Sequence, residues 1–247
     1  MDQGERCPGI HIEGLTLRYG TRTIFENLSL DIPGGRIMAL LGTSGVGKSS
    51  LLKILAGLAP AHQGAVHASD GGPLAGRIAY MGQTDLLYPW LRVIDNVMLG
   101  SRLRREKPDT ARAHTLLQRV GLADHTRALP MELSGGMRQR TALARTLYEN
   151  RPIVLMDEPF SALDAVTRAR IQELAAELLH GRTVLLITHD PMEACRLGHR
   201  LVVLAGNPAV LGAPITVAGR VPRALDDPDL LRTQGQLMRA LVAAEAG

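Results

Sequence analysis

One eight-residue stretch, Gly42-Thr-Ser-Gly-Val-Gly-Lys-Ser49, constrains this chain more than anything else in it. It fits the pattern GxxxxGK[ST], in which glycines let backbone N–H groups wrap phosphates, the lysine supplies a cation and the hydroxyl a magnesium ligand. An apolar run, Ile37-Met-Ala-Leu-Leu41, precedes it and reads as a buried strand; Lys48 to Ala56 reads as a helix stopped by Gly57. Strand, glycine loop and helix in that order bring backbone donors and the positive end of a helix dipole to one point. The expected ligand is therefore a phosphate chain, held by Gly42, Thr43, Ser44, Gly45, Val46, Gly47, Lys48, Ser49 and Ser50. The alternative is a glycine turn that binds nothing, and the motifs further along the chain make it negligible.

A second device is the apolar strand Ile153-Val-Leu-Met-Asp-Glu158, which carries two carboxylates to its C-terminal end, where open α/β sheets bind ligands. Asp157 is expected to hold magnesium through water, and Glu158 to polarise the water that attacks the γ-phosphoryl group. Without the glycine loop, two exposed acids at a strand end would be the better reading. With it, ATP and Mg2+ are the expected cofactors.

Bulk properties narrow the rest. At 247 residues and 45% hydrophobic content the chain can bury one large globular core. No stretch approaches the roughly 18 apolar residues of a membrane helix, and the charged N-terminus lacks a following apolar signal region, so a soluble, cytosolic protein is expected. Cys7 and Cys195 have no metal-type spacing and read as inert thiols. The net charge of +4 is dispersed among acidic neighbours and aromatics are only 3%, which argues against nucleic acid as a partner. The densest basic cluster, Arg102, Arg104, Arg105 and Lys107, reads as a solvated helix face.

Alternation at Ile10, Ile12, Leu15, Leu17 and Tyr19, with Gly14 shifting the phase, and again at Leu28, Leu30 and Ile32, predicts antiparallel strands before the glycine loop. A second antiparallel pair is expected at Ala65 to His67 and Arg77 to Met81, across the loop Asp70 to Gly76. Helical periodicity dominates from about Leu86 to Asn150. The runs Ile153 to Met156 and Val184 to Ile187 then predict buried parallel strands joined by a helix over Val166 to Leu179, and Pro228 to Ala243 reads as a terminal amphipathic helix. The expected class is α/β: a P-loop NTPase (RecA-like) core with an antiparallel β subdomain and an inserted α-helical subdomain. Its parts are 1–86 and 150–215 for the core, 87–149 for the helical subdomain and 216–247 for the tail, in one domain of 1–247. No internal repeat is visible, so the chain carries one nucleotide-binding unit.

Between the two phosphate-handling motifs lies Leu133-Ser-Gly-Gly-Met-Arg-Gln-Arg140. Taken alone, Ser-Gly-Gly is a helix cap. In this position it resembles the signature of the ATP-binding subunits of ATP-binding cassette transporters, and the resemblance covers nearly the whole chain. It implies that Tyr19 stacks on adenine and that Gln83 contacts magnesium, with Ser49 and Asp157, and the attacking water. It implies too that His189, in Thr188-His189-Asp190, contacts the γ-phosphate beside the general base Glu158. Ser134, Gly135, Gly136 and Met137 would act on ATP held by the other subunit, and Ser161-Ala-Leu-Asp164 would be the loop exchanged between subunits. The chain departs from the family at Met137, where glutamine is commonest; methionine also occurs there in importer subunits. From the residues alone, Tyr19 could equally be a sheet-face aromatic and His189 a strand-end histidine.

The implied partners are a second copy of the chain in an ATP-sandwich dimer, integral membrane permease subunits and, indirectly, a periplasmic or extracellular solute-binding protein. The implied location is cytoplasmic and peripheral on the inner face of the cell membrane. The segment Thr84 to Val97 is similar to the importer branch that serves nitrate, sulfonates, taurine and thiamin precursors. Within that branch the chain, including Met156-Asp-Glu-Pro-Phe-Ser-Ala-Leu-Asp164, resembles the hydroxymethylpyrimidine uptake subunit. Its Tyr88, Trp90 and Leu91 would either dock a partner helix or anchor the helical subdomain. The rival function is a soluble cassette ATPase serving as an assembly or scaffold factor.

Overall fold

The computed structural model describes residues 7–245; the charged N-terminal stretch read above lies outside them. The chain opens with β1 (Ile10–Tyr19) and β2 (Arg22–Ile32), paired antiparallel, and the register slips between Ile12 and Leu15, where Gly14 takes φ 60°. There follow β3 (Ile37–Leu41), α1 (Lys48–Leu55), β4 (Gln63–Ala68) and β5 (Ile78–Met81). Four helices succeed one another before the next strand: α2 (Val93–Val97), α3 (Leu99–Leu103), α4 (Thr110–Arg119) and α5 (Gly135–Tyr148). The second half runs β6 (Ile153–Asp157), α6 (Ala165–Leu178), β7 (Thr183–Ile187), α7 (Pro191–Leu197), β8 (Arg200–Ala205), β9 (Val210–Leu211), β10 (Ile215–Thr216) and α8 (Pro228–Glu245).

Two sheets result. The smaller has the order β2-β1-β4 and is antiparallel; the larger has the order β10-β8-β3-β7-β6-β5 and is parallel from β8 to β5, with β9 and β10 antiparallel to β8. This corrects one expectation. β4 and β5 do not form a hairpin: β4 pairs with β1, and β5 joins the parallel sheet beside β6. The reason is burial on two faces, since Ala79 and Met81 pack under the helices while Ile78 and Tyr80 pack toward the other side, and only a covered sheet satisfies both.

Every residue of β3, β6 and β7 is buried. One core lies between the two sheets around α1, where Phe25, Leu51 and Leu52 meet Leu40, Leu155 and Ile187. A second covers the opposite face with α2, α4, α5 and α6, and a third seats α8 on β3 and β8 through the fully buried Leu230 and Leu237. Each of those two leucines contributes about 2 kcal/mol by removal from water. Among the described residues no helix is long and apolar enough to cross a membrane.

The strand order fixes the site. With β3, β7 and β6 adjacent and parallel, their C-terminal ends bring Gly42, Thr188 and Asp157 to one edge, and β5 delivers Gln83 two residues beyond its own end.

Candidate active site

At that edge a cleft of about 460 Å3 is lined by Gly42, Ser44, Gly45, Gly47, Lys48, Ser49, Ser50, Gln83, Asp157, Glu158 and His189. Residues from four separated stretches therefore face one space. Two glycines make the loop possible. Gly42 has φ 150° and a Cβ there would collide with the Leu204 carbonyl oxygen; Gly47 has φ 114° and its Cβ would lie 2.6 Å from the Ile24 side chain and 2.8 Å from the Phe25 ring. Of the loop residues expected at phosphate, Thr43 and Val46 do not line the cleft. Val46 is buried in the core beneath, and Thr43 turns its carbonyl to the lysine.

The Lys48 ammonium donates to the Gly42 and Thr43 carbonyls at 2.7 and 2.9 Å, which folds its side chain back over the loop. Burial lowers its pKa, while Glu158 and Asp157 pull it back up. Asp157 is only 3% exposed; burial raises its pKa, and a hydrogen bond from the Ser49 hydroxyl opposes that rise. A half-desolvated cation beside a buried carboxylate is an arrangement that gains from a phosphate and from a second cation.

Glu158 takes φ 50°, a left-handed conformation that a non-glycine side chain adopts only where surrounding structure holds it. Its N–H donates to the Ile187 carbonyl at 2.9 Å, and its carbonyl accepts from Gln139 Nε2 at 2.9 Å. The carboxylate Oε2 lies 3.2 Å from Nδ1 of His189. Gln139 also donates to the Ser161 hydroxyl and accepts from the Ala162 N–H at 2.8 Å, so one buried amide on α5 fixes the turn that presents Glu158. Sequence reading missed Gln139; the available signal was an uncharged polar residue beside the buried run Thr141 to Ala144.

The signature residues stand elsewhere. Ser134 is the N-cap of α5, its hydroxyl accepting from Met137 N–H at 3.3 Å, and Ser134 and Gly135 are exposed. None of Ser134, Gly135, Gly136 and Met137 lines the cleft. Asp164 caps α6, accepting from Thr167 N–H at 3.0 Å, and is exposed too. Tyr19, 55% exposed, ends β1 opposite Arg22, whose guanidinium reaches the Gly45 carbonyl at 3.4 Å. The β1–β2 turn thus leans on the phosphate loop without Tyr19 entering the cleft walls.

The loop after Gln83 is tied to α5. Arg145 donates to the Asp85 and Leu86 carbonyls at 2.6 and 2.8 Å, and Arg138 Nε to the Asp85 carboxylate at 3.1 Å. Buried Asn96 accepts from Tyr88 N–H at 2.8 Å and donates to the Leu91 carbonyl at 2.9 Å. On this fixed frame Leu86 is 59% and Trp90 71% exposed, and the rings of Tyr88 and Trp90 meet edge to face at 5.3 Å. Trp90 therefore stands outside the core, while Leu91, the other residue read as an anchor, is half-buried.

A phosphate-wrapping loop on a parallel sheet, with a strand-end acid pair and a histidine across the same cleft, defines a P-loop nucleoside triphosphatase. A model of the family described as ABC transporter matches residues 25–161. The chain is 44% identical over 237 residues to an uncharacterized ABC transporter ATP-binding protein of Haemophilus influenzae, covering 94% of this chain and 98% of that one. It is 42% identical to the aliphatic sulfonates import ATP-binding protein SsuB 2 of Burkholderia cenocepacia, over 90% of this chain and 83% of the relative. Among solved structures, a dimeric ATP-binding cassette in a post-hydrolysis state bound to ADP and Pi superposes with a TM-score of 0.75 at 29% identity, over 85% of this chain and 99% of that one. The chain belongs to the ABC transporter ATP-binding family and is an ATPase subunit of that kind.

Proposed function

We propose that this chain energises import of a small solute, in the first place an aliphatic sulfonate, through a separate membrane permease. The ATP-hydrolysing half of the reading is carried by the single cleft holding the phosphate loop, Gln83, Asp157, Glu158 and His189, and the import half is supported by relatives about 42% identical that are named for aliphatic sulfonate import. In this reading the loop amides and Lys48 bind the ATP phosphates, Glu158 takes a proton from the attacking water, and His189, in contact with that carboxylate, steadies the γ-phosphate. Tyr19 stacks on adenine beside the loop.

Magnesium fits the donor set. Ser49, Asp157 and Gln83 offer oxygen ligands, with one buried carboxylate whose charged form desolvation disfavours and a cation would favour, which suits an ion that keeps its waters and shares phosphate oxygens. Among the described residues there is no cluster of three or more His, Cys, Asp or Glu for an all-protein metal cage. When bound, the ion would neutralise charge on the phosphates; Ser49, Asp157 and Gln83 would orient its shell.

Ser134 to Met137 would complete the site of a second copy, with Asp164 in the exchanged loop. Residues 87–149 would form a subdomain whose outward Tyr88 and Trp90, with Leu86 at its edge, receive a permease helix at the inner membrane face, on a core of 1–86 and 150–215 with a tail of 216–247. The alternative of a soluble scaffold ATPase finds no support in relatives named for import.

The test has two arms. Lys48→Ala is expected to weaken Mg-ATP affinity about 100-fold, because a charge-assisted contact to phosphate is lost; unchanged titration with a fluorescent nucleotide sinks the site assignment. The complex with its permease, in vesicles, should take up an alkanesulfonate on ATP addition. Uptake of hydroxymethylpyrimidine instead would move the solute to the thiamin-precursor members of the same branch.

A further inference from the structure

The phosphate cleft lies at the C-terminal ends of the parallel strands; at their N-terminal ends a separate cavity of about 830 Å3 opens. In the order β8-β3-β7 three neighbouring strands begin side by side, and the residue before each is basic: His199, Arg36 and Arg182. Backbone pairing holds the three together. The Arg36 carbonyl accepts from Val184 N–H at 2.9 Å and the Ile37 carbonyl from His199 N–H at 2.7 Å. A Cβ on Gly35 would lie 3.3 Å from the Gly181 carbonyl oxygen, so the turns into β3 and β7 abut. His180, just beyond α6, and Arg220, after β10, bring the basic side chains around the cavity to five, and no aspartate or glutamate lines it.

Elsewhere on the surface arginines are matched by acids: Arg77 by Asp70, Arg102 by Asp95, Arg104 by Glu106 and Glu149, and Arg119 by Glu177. Among the described residues none of the five has a carboxylate partner, and the side chains of exposed Arg36 and Arg220 make no hydrogen bond. Arg182 donates to the Arg151 carbonyl at 2.9 Å. His199 is half-buried, and Ile37 N–H donates to its Nδ1 at 3.1 Å, which leaves Nε2 as the donor of the ring. Burial pushes this imidazole down to about 4, and Arg36, Arg223 and His180 push the same way with no carboxylate opposing them. Carbonyls at the C-terminal end of α6 offset only about half a unit of charge, against three full guanidinium charges. The cavity is therefore positive, and its volume falls within the roughly 300–1,000 Å3 of small-molecule sites.

We propose that this cavity is a second anion site, which takes a small soluble oxyanion of the phosphate class, carrying two or more charges, between Arg36, Arg182 and Arg220. Guanidinium forks engage phosphate oxygens two at a time, a geometry that chloride cannot use. A ligand that enters can meet the exposed Arg36 and Arg220 together with the half-buried Arg182 and His199, which a flat surface does not. The site stands at the opposite strand ends from the phosphate loop and is independent of the reading of that loop.

Calorimetric titration of the full chain with inorganic pyrophosphate, without divalent ions and in about 0.15 M sodium chloride to screen diffuse attraction, tests this. In the Lys48→Ala chain, whose phosphate loop has lost its cation, one pyrophosphate per chain should still bind. Adding Arg36→Ala and Arg220→Ala to that chain should weaken it about 100-fold, the scale of two lost charge-assisted contacts, whereas lysine at both positions should keep part of the affinity. In an otherwise wild-type chain the double alanine variant should retain its circular dichroism spectrum and an ATPase rate within about twofold, because neither side chain is bonded within the described protein. A Lys48→Ala chain that binds no pyrophosphate, or an affinity that survives the double variant, overturns the site. A large loss of ATPase in the folded double variant overturns its independence from the cleft. Capture by phosphatidylglycerol vesicles that the double variant abolishes, with no pyrophosphate bound in the calorimeter, assigns these cations to a lipid surface and overturns the soluble ligand.

Discussion

Two helix starts in this molecule present glycine-rich turns, and they differ in what surrounds them. At the start of α1 the N-cap is Gly47 in a left-handed conformation with no side-chain cap, and the loop before it shares a cleft with Lys48, Gln83, Asp157, Glu158 and His189. At the start of α5 the N-cap is Ser134, whose hydroxyl caps its own helix, and the turn faces outward away from those groups. The first start has its cation, acids and histidine supplied by the same chain. The second has backbone donors, a helix dipole and the Arg138 guanidinium, already paired with Asp85, which together make half of an anion site. The contrast teaches that a helix N-terminus is generic and that its company decides what it does.

The largest expected effect breaks the cleft from inside. Glu158→Gln keeps shape and most contacts but removes the carboxylate proposed as the base, so hydrolysis should fall by about 100-fold or more while ATP binding persists. If α5 of one copy closes on α1 of another, the variant should accumulate as an ATP-bound dimer in gel filtration. A monomer with normal turnover would refute both the base and the pairing of the two starts.

Next in size is an attack on the outward start. Ser134→Arg puts a bulky cation where a phosphate should be approached, and its homodimer should lose most ATPase activity, about tenfold or more, as removal of a charge-stabilising donor does. Mixed with Lys48→Ala chains it should regain at most one working site per heterodimer. Full activity in the purified Ser134→Arg homodimer would mean that this turn completes nothing.

A smaller effect sharpens the same comparison through stability. In Gly47→Ala the new Cβ meets Ile24 and Phe25 at 2.6 and 2.8 Å in a backbone region that disfavours side chains. The cost is about 2 kcal/mol or more, a Tm loss of roughly 5 °C for a chain this long. In Gly135→Ala the nearest atom is a flexible arginine nitrogen at 3.9 Å and φ is not positive, so Tm should move by less than about 2 °C. Equal losses at both positions would erase the distinction drawn between a packed loop and an open one.

The first start was legible in the sequence because everything that builds it is local: an apolar run, spaced glycines and a helix within about twenty residues. The acid pair was legible for the same reason. Strand pairing was not, since the partner of β5 lies some seventy residues away in β6, and a glycine-rich loop between two short strands suggested a hairpin. Ile78-Ala-Tyr-Met81 nonetheless lacks the polar alternation of a half-exposed strand, and that run was the sign of a sheet covered on both faces. Gln139 was illegible for another reason. It is a polar residue in an apolar neighbourhood, and only the fold reveals which carbonyl and amide it meets.

The smallest effect on the isolated chain should come from the surface between the two starts. The loop after Gln83 enters the cleft at one end and carries outward Leu86, Tyr88 and Trp90 at the other, pinned to α5 by Arg138 and Arg145. It therefore links the cleft to α5 and to the exposed face of Trp90. Trp90→Glu removes an exposed aromatic without disturbing the Asn96 frame, so folding by circular dichroism and basal ATPase should change by less than about twofold, as for a surface substitution. Binding to the permease should nonetheless weaken by roughly 2 kcal/mol, about thirtyfold, because a central aromatic anchor is replaced by a charge that docking must desolvate. The measurement pairs permease pull-down with ATPase rate in the same preparation. Unfolding of the variant would return Trp90 to a packing role, and normal capture by the permease in a folded variant would detach this loop from coupling altogether.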